Sequence, residues 1–183
     1  MEATHPTFPP ELAFIIGESH LAKVALSWLP AEDVPEPYQG LLNHDHDMTS
    51  ELAAFHGEPI SLEVLKSEQN DHCHLREVVL HGAETDKPVE YGVIEILLDA
   101  FPAELRPDIL AGHIPLGSLI INSKLLFHSE PQGFFSVPSD HIPDIFPKST
   151  PSEILYGRYN HLIRDDGSCL ARIIEILPST RAR

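Results

Sequence analysis

Basic residues are scarce in this sequence: 12 Lys and Arg stand against 28 Asp and Glu, giving a formal charge of −16 and a pI near 5.0. Nucleic-acid backbones and anionic membrane surfaces are held by dense cationic patches, so neither is an expected partner. Cysteine is rarer still. Cys73 and Cys169 are the only two, too few for the disulfide framework of a small secreted domain. No apolar run approaches the roughly 20 residues a bilayer demands, so no membrane insertion is expected. The opening MEATHPTFPPEL has neither a basic segment nor an adjoining apolar stretch. That predicts no secretory signal and a cytoplasmic protein. Nucleotide and serine-hydrolase signatures are missing as well: there is no GxGxxG, no GxxxxGK[ST] and no GxSxG.

What is present suits one compact domain. The chain has 183 residues, 42% of them hydrophobic, which is enough to build a core. Seventeen prolines and ten glycines predict many turns and argue against a long-helix bundle. Residues 1–35 read as an N-terminal helical arm packed on the domain, with the apolar stretch LAFIIGESHLAKVALSWL after two prolines. Residues 36–183 form the domain itself. In HDHDMTSELAAFHG, Asp47 is a good N-cap for a helix opening at Met48, and Gly57 ends it.

Beyond Gly57 the hydrophobic period becomes strand-like. PISLEVLKSE, HLREVVLHG and KPVEYGVIEILL are separated by gaps short enough for hairpins, which predicts three antiparallel neighbours. Helical segments follow at PAELRPDILAGH and IPLGSLI, where Pro115 suits a first turn. KLLFHSE with GFFSV, ILYGRYNHLIR and SCLARIIEILP then read as strands. The prediction is an α+β fold: one antiparallel sheet of about six strands with helical flaps and insertions.

Two charged residues stand out because they lie in apolar strands. Alternation places His74, Arg76 and Val78 on one face, with Leu75, Glu77 and Val79 on the other. A guanidinium on a buried face needs a carboxylate partner or a ligand. Glu63, Glu90 and Glu95 are the candidate partners. Glu175, among Ile173, Ile174, Ile176 and Leu177, is either paired with Arg76 or Arg172, or raised in pKa by desolvation. The helix starts at Met48 and Leu116 expose N–H groups able to hold a carboxylate. HDHD at 44–47 and HCH at 72–74 match no zinc spacing, so no metal is expected. Cys73 lacks a group to orient a base.

Five short motifs recur in one order over residues 40–178: LLNHDHDMTSEL, HLREVVL, IPLGSLI, YGRYNHL and IIEILP. In order and spacing they resemble the chorismate pyruvate-lyase family. The resemblance implies a cofactor-free enzyme, with a chorismate lyase-like fold, that splits chorismate into pyruvate and 4-hydroxybenzoate. The product would feed ubiquinone or aromatic-acid biosynthesis. It implies a pocket under helical flaps in which Arg76 and the N–H groups of Met48 and Leu116 hold the ring carboxylate. Glu175 would face the ring hydroxyl and move a proton. The sequence departs from the family pattern where KLLFHSE follows PLG, where Tyr159 follows Arg158, and where a Pro follows Glu175 one residue early. Arg158, Lys124 or His128 would then hold chorismate's second carboxylate, Arg158 being preferred. The alternatives are a non-catalytic aromatic-acid sensor on the same sheet, or a lyase for a related enolpyruvyl or aromatic acid. Effector domains of bacterial transcription regulators use such a sheet with a winged helix-turn-helix, for which residues 1–40 are too short, acidic and proline-rich.

Overall fold

In the computed structural model, residues 6–146 and 153–179 are described, and a single antiparallel sheet carries most of them. Its strands are β1 (Ser27–Leu29), β2 (Ile60–Gln69), β3 (Cys73–Gly82), β4 (Pro88–Leu97), β5 (Phe127–Pro138), β6 (Ile154–Arg164) and β7 (Cys169–Leu177). They lie in the order β1-β5-β6-β7-β4-β3-β2. Five α-helices accompany them: α1 (Pro10–Gly17), α2 (Tyr38–Leu42), α3 (Met48–His56), α4 (Arg106–Ala111) and α5 (Leu116–Asn122). This is the predicted α+β fold, with the expected β2–β3–β4 hairpins in place.

The central strands are covered on both faces, which is why β3 and β4 read as nearly continuous apolar runs. On one face Leu12, Ile15 and Leu21 of the N-terminal segment pack over Leu75, Val79, Tyr91, Val93, Ile174 and Ile176. On the other, α4 and α5 cover Ile94, Ile96, Leu162 and Ile173, while α2 and α3 cover Leu80, Val89 and Leu177. A gap between these two clusters opens over the middle of the sheet. Edge strand β2 keeps the simple alternation of a strand with one wet face.

Four details differ from expectation. The sheet has seven strands, the additional one being β1, which pairs with Phe134–Ser136 of β5. The helix expected to run on through residue 29 stops at Gly17. There Ser19 Oγ donates to the Ile16 carbonyl at 2.7 Å and accepts from Leu21 N–H at 3.1 Å, a turn that satisfies the broken helix end. Of KLLFHSE and GFFSV, the residues from Phe127 onward belong to one strand, β5, whose register slips between Pro131 and Gly133. A proline without an N–H to donate is tolerated at such a bulge, and β1 does not reach it. Pro115 is the N-cap of α5 rather than its first residue. Residues 1–5 of the expected arm lie outside the described residues. Among the described residues no helix is long and apolar enough to cross a membrane.

Gly157 in β6 is fixed by close approach. A Cβ there would lie 2.3 Å from the Glu175 carbonyl oxygen and 2.6 Å from Cζ of Phe135. Gly157→Ala is therefore expected to cost about 2–3 kcal/mol by overpacking. Chemical denaturation measures it, and an unchanged midpoint would contradict this account of the sheet.

Candidate functional site

The gap over the sheet holds a cavity of about 60 Å³. Its floor is Arg76 and Val78 of β3, Glu90 and Gly92 of β4, and Ile173 and Glu175 of β7. Its roof is the start of α3 at Asp47, Met48 and Thr49, and the start of α5 at Pro115, Leu116 and Gly117. Register explains the space. Gly92 pairs with Val78 on one side and Glu175 on the other, so a residue without a side chain lies at the centre of the floor.

The roof forms because Asp47 caps α3. Its carboxylate accepts the Ser50 N–H at 2.8 Å, and Gly57 closes the helix in the left-handed region at φ 71°. The two flaps meet tightly: a Cβ on Gly117 would fall 2.7 Å from Asp47 Oδ1. Met48 and Leu116, expected from sequence at the helix starts, are thus brought together above Arg76 and Glu175.

Arg76 is 2% exposed, and its Nε and Nη1 have no partner among the described residues. The carboxylates that might have paired it are engaged or apart. Glu63 bonds His81 at 2.8 Å, Glu95 bonds Arg172 at 2.8 Å, and Glu90 Oε2 is itself without a partner among the described residues. Burial pushes Arg76 down to about 10, which leaves it charged at neutral pH. His74, one alternation away on the same face, is lowered to about 4 by burial and the Arg76 charge, and is neutral there.

Glu175 is neither free nor paired with Arg76 or Arg172. Its Oε2 accepts from Nε of Arg158, which lies directly opposite on β6 and is fully buried. Arg158 Nη1 also donates to the Leu42 carbonyl at 2.8 Å and the His44 carbonyl at 3.4 Å. Arg158 therefore sits behind Glu175 and is not in the cavity wall; Lys124 and His128 are not in it either. His128 bonds Glu130 at 2.9 Å.

Sequence reasoning weighed Glu90 only as a partner for Arg76. Its carboxyl is fully buried in the cavity wall, and burial first, then the Glu175 charge, raise its pKa well above the ordinary 4.5 against the opposing pull of Arg158. Its parity with Ile94 and Ile96, both core residues, was the available signal. Among the described residues no three His, Cys, Asp or Glu side chains are grouped to hold a metal.

No family model matches the chain, and no curated protein does. Solved structures share its fold. PhnF from Mycobacterium smegmatis aligns at 11% identity and a TM-score of 0.54, over 75% of this chain and 65% of that one. The chain thus spans less than two thirds of PhnF. The separate effector domain of PhnF aligns at 11% identity and 0.55, over 74% of this chain and 90% of the domain. The ligand-binding domain of a Bordetella bronchiseptica protein assigned to the GntR family of transcriptional regulators gives 8% and 0.49, over 67% and 87%. None of these is described as a lyase, and the two PhnF likenesses establish the fold alone.

The expected membership of the chorismate pyruvate-lyase family is corrected by these neighbours, and so is the expected lyase activity. The physical reason is visible in the motifs. PLG marks a helix start, GR a glycine pressed against the neighbouring strand, and IIEILP a Glu held by Arg158. They describe architecture. The Glu assigned to proton transfer is locked in an ion pair.

The raised pKa of Glu90 has a signed consequence. The folded state holds this proton more tightly than the unfolded chain, so the stabilisation is full below the ordinary carboxylate value and is lost as pH rises through the folded value. Glu90→Gln has no charge to bury. Its stability relative to wild type should grow with pH, read by denaturant titration at several pH values; parallel profiles would rule out a buried neutral Glu90.

Proposed function

We propose that this chain binds a small organic acid without converting it, in the cavity between the flaps and the sheet. The observation that carries this reading is Arg76: a guanidinium 2% exposed, facing the cavity, with two nitrogens lacking a partner among the described residues. A buried cation of this kind is costly unless something anionic completes it. A carboxylate suits it best, because the planar fork of Arg donates to both oxygens at once.

The ligand's carboxylate lies on Arg76, within reach of the N–H groups of Met48 and Leu116 overhead. The opposite pole, at Glu175 and Glu90, takes an uncharged hydrogen-bonding group such as a ring hydroxyl. Val78, Ile94, Leu162 and Ile173 supply apolar walls between the poles, which favours an aromatic acid over a short polar one. The fold shared with the PhnF effector domain supports binding rather than turnover. Arg158 is a positioning group here, holding Glu175 from behind.

The test is calorimetric titration with 4-hydroxybenzoate. Arg76→Ala should weaken binding by at least about 2 kcal/mol, as for a lost buried charge-assisted bond. A dissociation constant equal to that of the wild type would remove Arg76 from the site and the proposal with it.

A further inference from the structure

Three carboxylates line the cavity, and two of them are committed. Asp47 accepts the Ser50 N–H as the cap of α3, and Glu175 accepts from Arg158. Glu90 is the third. It is 4% exposed, and its Oε2 has no partner among the described residues. Its Oε1 lies 3.4 Å from where a Cβ on Gly92 would be, so the carboxyl lies over the central glycine, which is the cross-strand neighbour of Glu175. Two acids thus share one end of the cavity, and the guanidinium of Arg158 is spent on one of them.

The charge count decides what can enter. The Arg158–Glu175 pair is neutral as a unit, and Asp47 is committed to the Ser50 N–H at the positive end of α3. Arg76 on β3 contributes one positive charge. His74 on the same strand and His44 in the loop over Arg158 are both lowered and neutral. When Glu90 carries its proton, the cavity has one uncompensated positive charge, which a monoanion cancels. When Glu90 is ionised, the cavity is already balanced, and an anion would enter a buried space as surplus charge. Burial and the facing Glu175 carboxylate favour the protonated form.

We propose that Glu90 is a proton gate on the ligand site: an organic-acid anion binds only with Glu90 neutral, so that binding above the gate's titration point draws one proton from solution. This rests on the cavity being the organic-acid site. In that range the free site holds Glu90 as carboxylate, and the complex holds it as carboxylic acid beside the ligand's uncharged end. The proton goes onto Glu90, and the ligand stays a monoanion. The gate selects acids with one carboxylate, because a second would face Glu175 and Glu90 together.

Titrating 4-hydroxybenzoate into the full chain by calorimetry tests this, in two buffers of different ionisation heat from about pH 5 to about pH 8. The dissociation constant should be flat on the acid side, then rise by up to about tenfold per pH unit, with uptake approaching one proton per ligand. In Glu90→Gln both the slope and the proton uptake should vanish, whatever the absolute affinity. Wild-type binding of constant affinity without proton exchange overturns the gate, as does a slope that persists in Glu90→Gln. The wild-type proton count decides the matter even if the variant folds poorly. Failure of 4-hydroxybenzoate to bind at any of these pH values overturns the reading of the site itself, and the gate falls with it.

Discussion

The buried guanidinium of Arg158 ties the molecule together where its layers meet. One nitrogen holds Glu175 on the adjacent strand, and another holds the main-chain carbonyls of Leu42 and His44. The sheet floor is thereby stitched to the segment that leads into α3. Two bonds from the same segment repeat the stitch: Ser129 N–H donates to Asp45 O at 2.7 Å, and Ser129 Oγ donates to His46 O at 2.7 Å. Without such anchors the loop over residues 43–47 would have polar backbone facing an apolar sheet, and Asp47 would not be placed to cap α3. The position of the roof is a consequence of the floor's electrostatics.

That arrangement divides two buried arginines on one face into different kinds. Arg158 has its carboxylate and its carbonyls, so its charge is compensated within the fold even though its Nη2 has no partner among the described residues. Arg76, with β7 and β4 between it and Arg158, has no partner for Nε or Nη1 among the described residues. Replacing a satisfied buried pair by apolar residues is often neutral for stability, whereas an unsatisfied buried cation is a cost the fold carries. Such a cost is intelligible when a ligand removes it, and this asymmetry underlies the function proposed above.

Much of the fold was legible in the sequence because its period is local. Hairpin gaps fixed the order of β2, β3 and β4, and alternation alone put Arg76 on the opposite face from Leu75 and Val79. The partner of Glu175 was not legible, and the reason is a single bulge. Ile163 pairs with Cys169, yet Leu162 pairs with Ala171, so β7 gains one residue on β6. Counting back from the DDGS turn without that residue sets Arg158 opposite Ile174, on the wrong face; with it, Arg158 meets Glu175. Similarly, residues 18–29 carry a helical apolar pattern, but the Ser19 turn and the pairing of β1 with β5 override it.

The same distinction explains how five ordered motifs that describe architecture came to suggest catalysis. A Glu in an apolar strand invites a proton-transfer role only if its charge state is free to change. Glu175 accepts from the fully buried guanidinium of Arg158, so its carboxylate is already committed to a partner within the sheet. Glu90, placed by its neighbours in a less conspicuous run, lacks that partner and faces a second acid, which is the arrangement that makes a carboxyl responsive. The titratable group in this cavity is thus identified by who has already claimed the nearest cation, a fact of cross-strand register that no linear motif records.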